Sequence, residues 1–168
     1  LAKILPDAVV IDSDRVRKKI LGYAETERLP PEGYSPEAGK KMGDEIDRLA
    51  REGLRLQKTV IISSTCLEQW IADKYETLAQ ECAARFIGIW LQAGMETLVS
   101  RVSARTNNPS DAGVDAVHEQ ASTTPSAPKG WAVVDAAQPP EGVLKSALDI
   151  LNKTGGAGAK CAGPSLKT

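Results

Sequence analysis

The sequence predicts an α/β fold in which a parallel sheet is covered by helices on both faces, three layers in all. Four short apolar runs, Ala8–Asp12, Thr59–Ser63, Phe86–Leu91 and Trp131–Asp135, are continuous rather than alternating, the pattern of strands buried on both sides. Helical patterns of ten or more residues lie between them, which is the rhythm of βαβ units. Three Trp, three Tyr and one Phe leave the core to Val, Ile, Leu and Ala, as such a layered structure tolerates.

The helices between the strands have legible ends. Ser35-Pro36-Glu37 supplies an N-cap, a proline at the first helical position and an acid in the first turn. Met42, Ile46, Leu49 and Leu54 follow at near-helical spacing, and Gly53 reads as a stop. From Leu67 to Ala84, the residues Trp70, Ile71, Leu78 and Cys82 form one apolar face. Met95–Arg105 sets Leu98, Val99 and Val102 inward, with Arg101 and Arg105 one turn apart. Glu141–Asn152 closes the domain as a helix. Gly22–Ser35, carrying Pro30, Pro31 and Gly33, reads as an irregular excursion at the strand ends. Ser122–Gly130, with Pro125 and Pro128, reads as a flexible connection, and no internal repeat is visible.

Length and charge narrow the function classes. The 168 residues, 42% hydrophobic and 26% charged, fit one domain over residues 1–153, with a Gly-, Ala- and Lys-rich disordered tail over 154–168. Twenty-one basic against 22 acidic side chains leave a net charge of −1, so no basic patch draws the chain to nucleic acid, and anion recognition must be local. Cys66, Cys82 and Cys161 are odd in number and without a C-x-x-C pair, which argues against a disulfide framework or a zinc site and for a cytoplasmic home. No apolar run approaches the roughly 20 residues needed to cross a bilayer.

Three stretches could carry chemistry. Asp14-Arg15-Val16-Arg17 follows the first strand, whose carboxyl end opens on the ligand crevice of a parallel sheet. There an Asp can take a proton from a substrate hydroxyl, and an Arg three residues on can grip a phosphate or carboxylate. The competing reading is a solvated helix start, with Asp14 as cap and Arg17 exposed. Arg101 and Arg105, before the polar run Thr106–Asp111, could close over transferring phosphates, or could form an ordinary basic face. Ser63-Ser64-Thr65 ends the second strand, and Ser63 and Thr65 are candidates to hydrogen-bond a substrate there. His118, the lone histidine, reads as a surface helix residue.

The segments Val9–Lys19 and Glu27–Glu37 resemble the P-loop kinase domain of bacterial AAA-family ATPase or kinase-like proteins, a group similar to polynucleotide kinases, gluconate kinases and zeta toxins. The resemblance covers about Leu1–Asn152. It implies a P-loop NTPase-like fold, ATP and Mg²⁺ for the complete family domain, and a small hydroxylated or phosphorylated acceptor. It also implies Asp14 as catalytic base, Arg17 as substrate anchor, and Arg101 and Arg105 as lid arginines that stabilise the transition state.

The departures from the family pattern carry their own expectations. The 168 residues contain no G-x-x-x-x-G-K-S/T run, and Leu1–Leu5 resembles the tail of the helix that follows such a loop, so the first strand and P-loop are expected to be missing. Gly155–Cys161 has neither the spacing nor the following helix to replace that loop. Ser63 stands where relatives carry an Asp for the metal, so this chain itself is expected to hold no metal, with a cofactor-free chain as the alternative to ATP and Mg²⁺, and to be catalytically weak or a non-catalytic binding module. Without a central first strand, the strands at 59–63 and 86–91 must pair directly or leave a gap, which favours self-association.

Overall fold

The computed structural model describes residue 1 and residues 4–5, 7–123 and 126–155. Their order is β1 (Val9–Asp12), α1 (Ser13–Leu21), a 3-10 helix (Pro31–Tyr34), α2 (Pro36–Arg55), β2 (Val60–Ser63), α3 (Gln69–Glu81), β3 (Ile89–Gln92), α4 (Met95–Ser103), α5 (Val114–Thr123), β4 (Ala132–Asp135) and α6 (Pro140–Gly155). This is an α/β fold of parallel strands and intervening helices, as the apolar runs predict.

The strands pair as two parallel ribbons rather than as one continuous sheet. β1 pairs with β2, setting Val9 beside Val60 and Asp12 beside Ser63, and β3 pairs with β4, setting Gln92 beside Asp135. Among the described residues no ladder joins β2 to β3. The expected gap is therefore present, and each ribbon leaves its outer backbone groups without ladder partners. Side chains bridge what the backbone does not. Ile11, Val16, Ile46, Ala50, Cys66, Tyr75 and Leu78 form the core, and Phe86 and Trp131 from the flanks of β3 and β4 pack onto it. The two rings meet at 5.8 Å between centroids, tilted by 59°.

Local chemistry accounts for the helix ends. Asp12 caps α1 by accepting from the Arg15 N–H at 3.1 Å, and Gly22 ends it in the left-handed region at φ 80°. Ser35 caps α2 by accepting from the Ala38 N–H at 3.2 Å, with Pro36 at the first position. Gly53 does not stop α2, which continues to Arg55. It is the point where the helix touches the ribbon: a β-carbon there would lie 2.8 Å from a Val60 methyl and 3.3 Å from one of Val9.

Several expectations shift. Trp70 points outward at 60% exposure, while Ile71, Leu78 and Cys82 of the expected face do pack on the core beside the buried Ala72, Tyr75 and Ala79. α4 ends at Ser103, so Arg105 lies beyond it and shares no helix face with Arg101. His118 lies exposed on α5, as expected of a surface helix residue, although the bounds of that helix, Val114–Thr123, carry no sequence signal of their own. α6 continues through Gly155, past the expected domain limit at 153, and the rest of the expected tail, residues 156–168, lies outside the described residues, as do Ala2, Lys3 and Pro6 of the opening segment and residues 124–125 of the 122–130 connection. In that opening segment the Leu5 N–H donates to the Leu1 carbonyl at 3.0 Å, one helical turn. No helix among the described residues is long and apolar enough to cross a membrane.

Candidate functional site

Asp14 and Arg17 sit in the first two turns of α1, immediately past the carboxyl end of β1. Because Asp12 takes the cap, Asp14 is free of that duty, and the Ser110 hydroxyl is near enough to act on its carboxyl. Burial raises the Asp14 carboxyl above the ordinary carboxylate range. Ser110 opposes this, Asp12 and Asp111 add to the rise, and Arg17 opposes it. A carboxyl pushed up in this way is a better proton acceptor than a solvated one.

Arg17 is not the exposed side chain of a solvated helix start. Its Nη1 donates to the Gly33 carbonyl at 2.9 Å, and its guanidinium carbon stands 5.1 Å from the centre of the Tyr34 ring. Its Nε is buried without a hydrogen-bond partner. The arginine therefore fastens the 3-10 helix to α1, and its guanidinium has further N–H groups beyond the one Gly33 takes.

Asp111 organises the surroundings. One carboxylate oxygen accepts from Lys18 Nζ at 2.8 Å; the other accepts from the Leu29 N–H at 3.0 Å and the Tyr34 hydroxyl at 2.7 Å. Lys18, 1% exposed, also donates to the Glu25 carbonyl at 3.2 Å. Burial works to raise the Asp111 carboxyl, but Lys18, the Leu29 amide and Tyr34 outweigh it and hold the group below its usual value. Burial and the bond to Asp111 push the Tyr34 hydroxyl up, so it stays a donor. Neither Lys18, Tyr34 nor Asp111 carries a sequence signal: the ion pair joins residues 93 positions apart.

A groove of about 410 Å³ adjoins this cluster. Thr26, Arg28, Ser103, Arg105, Ser110 and Asp111 are among the residues that line it. The structure thus brings Asp14, Arg17 and Arg105 into one neighbourhood through Ser110 and Asp111. It sends Arg101 elsewhere, with Nη2 directed at the Gln138 carbonyl at 3.5 Å. Ser63 lies at the exposed end of β2 beside Asp12, and Thr65 is exposed in the turn that follows.

These donors do not make a metal site by themselves. The Asp12 carboxylate is engaged as a cap, Ser63 offers an uncharged hydroxyl, and no group of three or more His, Cys, Asp or Glu side chains among the described residues is arranged to hold a metal ion.

A family model described as an AAA domain matches residues 1–125. The fold is similar to that of the Deinococcus radiodurans tunicamycin resistance protein, with a TM-score of 0.51 and 14% identity over 90% of this chain and 84% of that one. It is also similar to an unliganded sugar kinase from Janibacter sp., with a TM-score of 0.53 and 18% identity over 85% of this chain and 79% of the other. Identities this low speak to the fold alone. No curated protein matches the sequence significantly.

Proposed function

The chain belongs to the AAA domain family, with the P-loop kinase-like fold, and on that premise we propose that it provides the acceptor-handling side of an ATP-dependent phosphotransferase. The single observation that carries this reading is the meeting of Asp14, with its raised carboxyl, and Arg17 at the carboxyl end of a parallel strand. The acceptor is a small hydroxylated or phosphorylated molecule, a class in keeping with the structural neighbour described as a sugar kinase.

In this reading Asp14 takes the proton of the acceptor hydroxyl as that oxygen attacks the transferred phosphoryl group. Arg17, held by Gly33 and Tyr34, orients the acceptor with Nη N–H groups that Gly33 does not take. Arg105 neutralises phosphate charge from the groove beside Asp14, while Arg101, directed at the Gln138 carbonyl, takes no part in this arrangement. Ser63 and Thr65 offer hydroxyls at the neighbouring strand end. ATP is the phosphoryl donor and Mg²⁺ its usual companion in such folds, yet the sequence holds no P-loop run to cradle nucleotide phosphates. Turnover by these 168 residues alone is therefore weak.

ATP turnover with Mg²⁺ at high protein concentration, against a panel of sugars and sugar phosphates, tests the assignment. Weak turnover that falls by about 100-fold or more in Asp14→Asn is the expected result. Turnover indifferent to Asp14→Asn removes Asp14 from the role of base.

Ser63 in place of an acid favours a second reading, a non-catalytic binding module of the same fold. Calorimetry with ATP and Mg²⁺ separates the two, since the module binds no nucleotide.

A further inference from the structure

We propose that the groove between Arg28 and Arg105 is an oxyanion site that takes a phosphate group carried by the acceptor. The inference deepens the phosphotransferase reading and rests on it only for the hydroxyl end of the ligand. Two guanidiniums from separate segments face one groove, Arg28 from the excursion after α1 and Arg105 from beyond the end of α4. Neither has an ion-pair partner among the described residues.

The charge balance of the lining is decisive. Asp111 is the one carboxylate among the residues that line the groove, and Lys18, the Leu29 amide and Tyr34 already occupy it. The two arginines therefore stand as uncompensated positive charge, surrounded by the neutral donors of Thr26, Ser103 and Asn107. Planar guanidinium forks match the oxygens of a phosphate, and two of them can hold one group from two sides. The first residue of α5, Val114, also lines the groove, so the positive end of that ten-residue helix opens on the same space.

The site is built in advance of any ligand. The bond from the Leu29 N–H to Asp111 ties the segment bearing Arg28 to the segment bearing Ser110 and α5, so Arg28 and Ser110 each lie one residue from a fixed anchor. Ser110 in turn lies close enough to Asp14 for its hydroxyl to oppose the rise of that carboxyl. A ligand with its phosphate between Arg28 and Arg105 therefore extends its other end toward the candidate base. That geometry selects a phosphorylated acceptor that still carries a free hydroxyl.

The test is titration of the full chain with inorganic phosphate, followed by NMR of the arginine side-chain and backbone amides. Wild type should bind phosphate saturably, with shifts at Arg28, Arg105 and Val114. Arg28→Gln and Arg105→Gln should each weaken binding by about 10-fold or more, and Arg28→Lys by less, since it keeps the charge but loses the fork. Arg55→Gln, on the exposed end of α2, should match wild type. Both groove arginines are exposed, so their loss leaves folding intact, as a urea midpoint will verify. Absence of saturable binding in wild type, or equal affinity in the glutamine variants, overturns the proposal. Phosphate binding needs no turnover, so a chain that binds phosphate but never transfers it would cost the phosphotransferase reading and leave this site standing.

Discussion

Lys18 buries its ammonium against Asp111 at 2.8 Å, with the two side chains 1% and 11% exposed. This pair, with the Leu29 amide and Tyr34 on the second oxygen, fastens α1, the excursion after it and the segment between α4 and α5 at one point. The candidate site stands on that fastening, because Asp14 is four residues before Lys18 and Ser110 adjoins Asp111.

Removing one partner should cost far more than removing both. Asp111→Ala strands a buried ammonium together with the Leu29 and Tyr34 donors, and should destabilise by about 3–5 kcal/mol in urea unfolding. Lys18→Met combined with Asp111→Leu should recover a large part of that loss. Because the folded Asp111 carboxyl is held below 3.8, its contribution is complete above that pH and disappears as pH falls through the folded value. An unfolding free energy that is flat from pH 5 to 2 would rule this out.

Asp14 has the opposite sign. Its carboxyl is raised above 3.8, so the fold favours the protonated form: this group's contribution is complete at acid pH and is lost as pH rises through the folded value. Asp14→Asn, which cannot ionise, should therefore be more stable than wild type at pH 7. The gain should be only about 0.5 kcal/mol, since solvent screens a side chain that is partly open, and should vanish near pH 3. Thermal melts at the two pH values measure it. Gain of stability together with loss of turnover would mark Asp14 as a residue kept for function.

What the sequence reveals here follows the range of the forces involved. The strands, the Ser35 cap and the helices flanking β2 are written in neighbouring residues, and each is found within a few positions of its expected place. The split into two ribbons is consistent with four strands lacking a central partner. The site is only half legible. Asp14 and Arg17 are visible because three-residue spacing on a helix is local. Asp111 and Arg28 are invisible because their meaning comes from chain segments 82 to 93 residues apart that no periodicity connects. Arg101 and Arg105 misled for a related reason: a one-turn spacing implies a shared face only while the helix lasts, and α4 stops between them.

Gly53 offers a packing test. Alanine normally strengthens a helix by about 1 kcal/mol over glycine. Here the new methyl would meet Val60 at 2.8 Å and Val9 at 3.3 Å, both β-branched and stiff, and overpacking of that kind costs about 1–3 kcal/mol. Gly53→Ala should thus destabilise by about 1 kcal/mol, read as a lower urea midpoint. A rise in the midpoint would show that α2 slides freely over the β1–β2 ribbon.

Ala83 follows the end of α3 in the left-handed region at φ 51°, where its N–H donates to the Gln80 carbonyl at 3.0 Å and the Ala84 N–H to the Ala79 carbonyl at 2.8 Å. A β-carbon is strained in that conformation by about 1–2 kcal/mol, and glycine would relieve it at the cost of a more flexible unfolded chain. Ala83→Gly should raise stability by about 0.5–1 kcal/mol, in contrast to the usual loss on introducing glycine. A decrease in melting temperature would mean that the turn prefers its methyl.

The two ribbons leave unladdered edges, and an exposed edge is a template for pairing with another chain. Apolar side chains stand out on the same strands: Val10 at 49%, Leu91 at 59% and Val133 at 54% exposure. We therefore expect concentration-dependent self-association of the chain in sedimentation velocity, with the weight-average coefficient rising as protein is added. Val133→Lys places a charge on β4 at a position already open to solvent, so it should shift the equilibrium toward monomer while leaving the circular dichroism spectrum unchanged. A rigid monomer at all concentrations would mean that the edges are closed to partners, and association of the Val133→Lys protein as strong as that of wild type would move the contact away from the β3–β4 ribbon.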